Sequence, residues 1–262
     1  MIVAPAQTNY ILEQYKTSLD ELISFIKGYN IKPLFLCITG SHMWNLENAS
    51  SDLDIRGVYQ KPTDIILSIH KGTDSIDGLN VLNKNIDIQF YEVEKAFNML
   101  HTINGNVIEM LLAPTTIYDS GDVPWTELAK KRLSRKLVAY YKGYYNSQRK
   151  RCSTNRGGKA LVYTYREIYA GIMLMRHGKI IYNFNELVER FAQEFMPSKL
   201  LTEFMKNRDV QVTDTKLKAF EAEWDMLCAI IEKEASCSKL PDKYQDYDEL
   251  NDLLLKLRYA EP

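Results

Sequence analysis

No stretch of this 262-residue chain approaches the ~18–20 consecutive apolar residues that a membrane-spanning helix needs, which excludes a helical membrane anchor as the reading. The N-terminal MIVAPAQTNYILEQYK has no basic stretch leading into an apolar core, so no secretory signal is expected. Cysteine is scarce. Cys37, Cys152, Cys228 and Cys237 are widely separated and form neither a CxxC pair nor a zinc spacing. Free thiols and a cytoplasmic location are the expectation. His42, His70, His101 and His177 show no metal-ligand spacing either. Repeats and low-complexity tracts are absent.

One sign of charge is missing from one segment. Between Ala129 and Arg166 there are twelve Lys or Arg and no Asp or Glu, which leaves 21 basic against 34 acidic residues elsewhere. The net charge of −1 therefore conceals a cationic segment suited to a polyanionic ligand. Hydrophobic residues make up 45% of the chain, enough to build the core of one large domain or two modest ones.

The hydrophobic pattern divides the chain. Ile11, Leu12, Tyr15, Leu19, Leu22, Ile23 and Ile26 recur at helical steps, predicting a helix from about Asn9 to Tyr29. LFLCIT (34–39) is a continuous apolar run, as in a strand buried on both faces. DLDIRGVYQ (52–60) and IDIQFY (86–91) alternate and predict two more strands. Glu92 to Leu100 and Val107 to Leu112 carry helical spacing. Ala113–Pro114 and Asp119–Gly121–Pro124 mark a boundary. Beyond it the spacing predicts helices over about 125–151, 158–177, 184–194, 197–207, 214–234 and 246–258. The expected fold is α/β (α+β): a small mixed-sheet domain over 1–120 and an all-helical domain over 121–262.

The stretch 40–57, GSHMWNLENASSDLDIRG, carries the chemistry. Side chains on a strand alternate faces, so Asp52 and Asp54 share one face, about 7 Å apart, while Leu53 and Ile55 point into the core. Two such carboxylates are hard to bury bare, and a divalent cation neutralises them. Asp87 is flanked by Ile86 and Ile88 in the same way, and completes a three-carboxylate set if the strands are neighbours. Such a set suits Mg²⁺, with Mn²⁺ as the alternative. Gly40–Ser41 follows a buried strand, where glycine permits close backbone approach and backbone N–H groups with the Ser41 hydroxyl can cradle phosphate. The bland alternatives are surface acids for Asp52 and Asp54, and a helix cap for Ser41.

GS followed by SDLD after an apolar strand, with Asp87 on a later strand, resembles the signature of the DNA polymerase beta nucleotidyltransferase superfamily. NGNVIEML (104–111), KGYYNSQRKR (142–151) and KALVYTYREIYAGIMLMRHGKI (159–180) narrow the likeness to its RNA-repair-pathway, RlaP-like branch. The resemblance implies an Mg-dependent enzyme that moves a nucleoside monophosphate from a triphosphate to a hydroxyl and releases pyrophosphate. Asp52, Asp54 and Asp87 would be its metal-binding catalytic residues, with Asp87 helping to activate the acceptor hydroxyl. Gly40, Ser41, Ser51, Lys159, Tyr163 and Arg166 would meet the triphosphate. One departure stands out: Asn45 occupies the place of the superfamily's usual second glycine. Asn tolerates left-handed backbone better than most residues.

In the cationic segment, Tyr145 and Gln148 share a helix face, as do Lys159, Tyr163 and Arg166. Cations bind phosphates and rings stack on bases, so Tyr145, Gln148, Arg149, Lys150 and Arg151 form the expected nucleic-acid set. The plain alternatives are core tyrosines and a solvated cationic face. The acceptor stays open between RNA (tRNA or an RNA end under repair), a protein and a small molecule. An inactive nucleotide- or RNA-binding relative is the non-enzymatic alternative. A nucleotide-sugar glycosyltransferase DxD ranks below these, because only about fifty residues precede the motif. Asn104, Asn106 and Glu109 are expected to cap and hydrogen-bond, and Trp44 to pack.

Overall fold

Ser18 and Glu21 split the expected N-terminal helix in two. The computed structural model describes residues 6–192, 199–242 and 247–260, with α1 spanning Ala6–Gln14 and α2 spanning Leu19–Lys27. Lys16 takes a left-handed φ of 54°, and the Ser18 hydroxyl accepts the Glu21 N–H at 3.2 Å. Ser-x-x-Glu is a helix-start signal, which apolar periodicity alone overlooks.

The α/β part continues with β1 (Lys32–Ile38), α3 (Gly40–Met43), β2 (Leu53–Gln60), α4 (Thr63–Leu67), β3 (Ser75–Gly78), β4 (Ile86–Glu92), α5 (Val93–His101), α6 (Gly105–Leu111), β5 (Thr116–Asp119) and α7 (Trp125–Lys131). Five strands form one mixed sheet in the order β3-β4-β2-β1-β5. β2 and β4 run parallel, and the remaining neighbours pair antiparallel. The edge strands β3 and β5 have four residues each, too short to show a period. On one face, Leu36, Ile38, Leu53, Ile55, Ile86, Ile88 and Phe90 pack with Leu12, Leu22 and Ile26 of the first two helices. Toward the other, Trp125 lies between Phe35 and Phe97. Asn104 caps α6 by accepting the Asn106 N–H at 3.0 Å.

The helices that follow are α8 (Leu137–Asn155), α9 (Gly158–His177), α10 (Phe184–Ala192), α11 (Lys199–Lys206), α12 (Asp214–Cys237) and α13 (Tyr247–Tyr259). Where one helix was expected over 125–151, α7 and α8 are separate. Ser134, fully buried, donates to the Asp242 carbonyl at 3.1 Å and accepts the Lys136 N–H at 3.2 Å, so its hydroxyl replaces helical bonds. Residues 193–194, 197–198 and 246 of the expected helices lie outside the described residues.

Contacts divide the chain into two units, one of residues 1–132 with 244–262 and one of residues 133–243. In the first, α13 is tied to the sheet by a buried ion pair, Arg258 to Glu92 at 2.7 Å. Glu92 also accepts the N–H groups of Lys61 and Glu94, so its buried charge is well satisfied. In the second, α9 is buried along nearly its whole length. A Cβ on Gly171 would lie 2.6 Å from Ile231 and 2.8 Å from Tyr141, so glycine allows α8 and α12 their close approach to α9. Among the described residues, no helix is long and apolar enough to cross a membrane. The four cysteines are free thiols.

Candidate active site

Parallel pairing of β2 with β4 sets Asp54 directly opposite Asp87. Leu53, Ile55, Ile86 and Ile88 turn into the core, which leaves the carboxylates half-exposed on the other face, as period-two alternation requires. Asp52 stands one residue ahead of β2. One carboxylate oxygen from each of Asp52, Asp54 and Asp87 lies within 4.8 Å of the others, the only such group of three His, Cys, Asp or Glu among the described residues. Three hard oxygen donors at this spacing fit a divalent cation such as Mg²⁺.

The turn after β1 closes onto this trio. Gly40 has a φ of +60°, and a Cβ built on it would fall 1.7 Å from Asp54 Oδ2. Thr39 N–H donates to the Asp54 carbonyl at 2.8 Å, holding the turn against β2. Ser41 is 6% exposed, and its buried hydroxyl has no hydrogen-bond partner. Such an orphan is costly unless a ligand meets it. Asn45 takes φ +57°, the left-handed conformation that glycine would supply, so the turn forms without the second glycine. Ser51 faces its own loop: its hydroxyl accepts the Asn48 N–H at 2.9 Å and donates to Asn48 Oδ1 at 3.1 Å.

A cavity of about 310 Å³ opens beside the trio, lined in part by Asp54, Arg56, Asp77, Leu79, Asp87 and Gln89. Asn80 N–H donates to Asp87 Oδ1 at 2.9 Å. Gln89 donates to Asp77 at 2.9 Å and accepts the Tyr91 hydroxyl at 2.7 Å, which fixes the floor. A larger cavity of about 1040 Å³ lies by α1, α2 and the start of β1, but it contains none of the trio, so donor chemistry rather than volume selects the site. Behind the turn, burial lowers the proton affinity of His42 against the opposing pull of Glu47 and Asp52. Burial, then Asp52, Glu47 and Asp54, raises that of Tyr15.

In the second unit the sequence-predicted residues separate. Gln148, Arg151, Lys159 and Tyr163 line one cavity of about 260 Å³ with Asn155 and Gln211. Lys150, Arg151 and Lys159 are exposed. Tyr145 is fully buried and donates its hydroxyl to the Trp224 carbonyl at 2.8 Å. Arg149 pairs with Asp225 at 2.5 Å and lies over the Trp224 ring. Arg166, 8% exposed, pairs with Glu167 and sits 5.2 Å from the Tyr163 ring centre. Lys159 Nζ lies 6.0 Å from that ring. Much of the cationic segment is answered internally: Lys142 by Glu232, Arg156 by Asp214 and Arg135 by Asp242.

Sequence reading passed over Tyr15, Arg56, Asn80 and Asn85. Arg56 was legible, two residues after Asp54 and so on its face. Asn80 depends on the hairpin that β3 makes, and β3 left no period to read. Apolar periodicity places Tyr15 on a helical core face, yet it lies past the end of α1.

Comparison with known proteins follows the same lines. The chain is 25% identical over 254 residues to the uncharacterized protein YcgL of Bacillus subtilis (strain 168), covering 90% of this chain and 94% of that protein. The pattern of the RlaP family fits residues 15–256, from Tyr15 past the trio and through both units. The three carboxylates and the glycine turn thus lie inside the matched span, and this chain belongs to the RlaP family, the RNA repair pathway DNA polymerase beta family, whose members are polymerase beta-like nucleotidyltransferases.

Proposed function

We propose that this chain transfers a nucleoside monophosphate from a nucleoside triphosphate to a hydroxyl of RNA, with Mg²⁺ held by Asp52, Asp54 and Asp87. The observation that carries the reading is the convergence of three carboxylates within 4.8 Å around a glycine turn that has no room for a side chain. Asp52, Asp54 and Asp87 would hold the metal, which would supply charge neutralisation and a more acidic acceptor hydroxyl.

The chain's own groups account for the rest. Gly40 allows the backbone to approach the phosphates. The orphan Ser41 hydroxyl offers them a hydrogen bond, while Ser51, whose hydroxyl is given to Asn48, shapes the loop that carries Asp52. Asp87, fixed by the Asn80 N–H, takes the proton of the acceptor hydroxyl. That oxygen bonds to the α-phosphorus as the bond from this phosphorus to the bridging oxygen breaks, and pyrophosphate leaves. The second unit, taken by itself, offers Lys159, Tyr163 and Arg166 as groups suited to a triphosphate, and Gln148, Lys150 and Arg151 as groups suited to RNA phosphates. Tyr145 and Arg149 support that surface from within.

The test is a transfer assay with Mg²⁺, each α-labelled ribonucleoside triphosphate and total RNA, run beside the Asp52→Ala/Asp54→Ala variant. Label on RNA with the wild type alone is the expected result. Label on polypeptide would move the acceptor to protein. No label and no triphosphate binding would overturn the enzymatic reading.

A further inference from the structure

Asp52 lies outside the strand that fixes Asp54, so the peptides on either side must hold it. On one side, Leu53 N–H donates to the Asn85 carbonyl at 3.0 Å. On the other, the Ser51 carbonyl accepts twice, from the Tyr15 hydroxyl at 2.8 Å and from Asn85 Nδ2 at 3.2 Å. The same Tyr15 oxygen lies 2.7 Å from His42 Nε2.

The direction of these bonds follows from proton count. A phenol has one hydrogen, and a carbonyl can only accept. The Tyr15 hydrogen is therefore committed to Ser51, and His42 must present Nε2–H to the phenol oxygen. A directed relay runs from His42 through Tyr15 to the Ser51 carbonyl. His42 sits in α3, next to Ser41, and Ser51 immediately precedes Asp52. One side chain thus joins the phosphate-facing turn to the backbone of the first carboxylate.

We propose that Tyr15 is a positioning residue of this site. With Asn85 it holds Asp52 within reach of Asp54 and Asp87, and through His42 it sets the spacing between the Gly40–Ser41 turn and that carboxylate. The inference rests on the metal-site reading of the trio. Outer partners that orient metal ligands typically change metal affinity or activity 10–100-fold when removed, and Tyr15 and Asn85 act on the ligand's backbone in that sense.

Tyr15→Phe is the direct test, because it keeps the ring edge-on to His42 and removes only the hydroxyl. Mn²⁺ affinity would be read by electron paramagnetic resonance without nucleotide, beside the melting temperature and the transfer rate at limiting and saturating metal. The expected result is about a 10–100-fold weaker Mn²⁺ affinity, a rate loss at limiting metal that saturating metal repairs, and a nearly unchanged melting temperature. Asn85→Leu, at an exposed position, should weaken Mn²⁺ in the same way. Wild-type Mn²⁺ affinity in both folded variants would overturn the proposal, and so would a lowered melting temperature with affinity retained. Asp52→Asn separates the two levels. If it abolishes Mn²⁺ binding while Tyr15→Phe and Asn85→Leu keep wild-type affinity, only the positioning role falls. If it leaves Mn²⁺ binding intact, the metal-site reading itself falls.

Discussion

Replacing Gly40 by alanine puts a methyl group where the Asp54 carboxylate sits. The added Cβ would stand 1.7 Å from Oδ2, 2.6 Å from Cγ and 2.9 Å from Cβ of Asp54. Rotating the carboxylate away relieves the first two overlaps but not the third, so the backbone must move as well. Restoring a normal contact of about 3.2 Å to Oδ2 requires a shift of roughly 1.5 Å, and misplacement by about 1 Å at a reacting centre can cost 10²-fold. The left-handed φ of +60° adds about 1–2 kcal/mol for a residue with a Cβ. Gly40→Ala should therefore lower kcat at least about 100-fold and the melting temperature by roughly 2–8 °C. Gly121→Ala is the matched control, because its φ is +80° and nothing lies within 4 Å of an added Cβ. It should show a similar stability loss and a wild-type rate. The assay is the labelled-triphosphate transfer with calorimetry on both variants. A Gly40→Ala protein with wild-type turnover, or a Gly121→Ala protein as inactive as Gly40→Ala, would refute the reasoning.

Three further outcomes are expected. Arg258→Ala leaves Glu92 buried without its 2.7 Å partner, so chemical denaturation should show a loss of about 3–5 kcal/mol; a loss under about 1 kcal/mol would contradict the buried-pair argument. Glu223 has its pKa raised above the ordinary 4.5 by burial, against the hydrogen bond from Tyr165. The folded state therefore binds the proton more tightly than the unfolded one. The resulting stabilisation is fully present below 4.5 and lost as pH rises through the raised value. Glu223→Gln should remove that loss, so its stability relative to wild type should grow with pH across this window. A pH-independent difference would speak against it. Finally, Arg151→Ala and Lys150→Ala, both at exposed positions, should each reduce the slope of log RNA affinity against log salt by about 1. Arg149→Ala, whose charge is already answered by Asp225, should leave the slope unchanged; equal slopes in all three variants would sink the distinction.

Much of the architecture was legible because it depends on local periodicity. The run 34–39, the alternation around Asp54 and Asp87 and the limits of α9 all follow from which residues must leave water. Where polar side chains compete with the backbone, periodicity misled: Ser18 and Ser134 each interrupt what apolar spacing joined. The cationic segment shows the same limit at the level of charge. Its composition points to a polyanion, yet Lys142 and Arg149 meet acids of α12, and only contacts distant in sequence reveal that pairing.

By itself the sequence determined that Asp54 and Asp87 each turn away from the core that their apolar neighbours enter, because side-chain alternation is a property of one strand; the expected strand over 52–60 begins at Leu53, so Asp52 is set by its loop instead. Tertiary structure alone decided that β2 and β4 are parallel neighbours in the register that sets Asp54 beside Asp87. It also decided that Gly40 has no room for a Cβ, and that a tyrosine beyond the first helix reaches Ser51. Each is a relation between segments brought together by burial of a shared core, and no local pattern encodes which segments will meet.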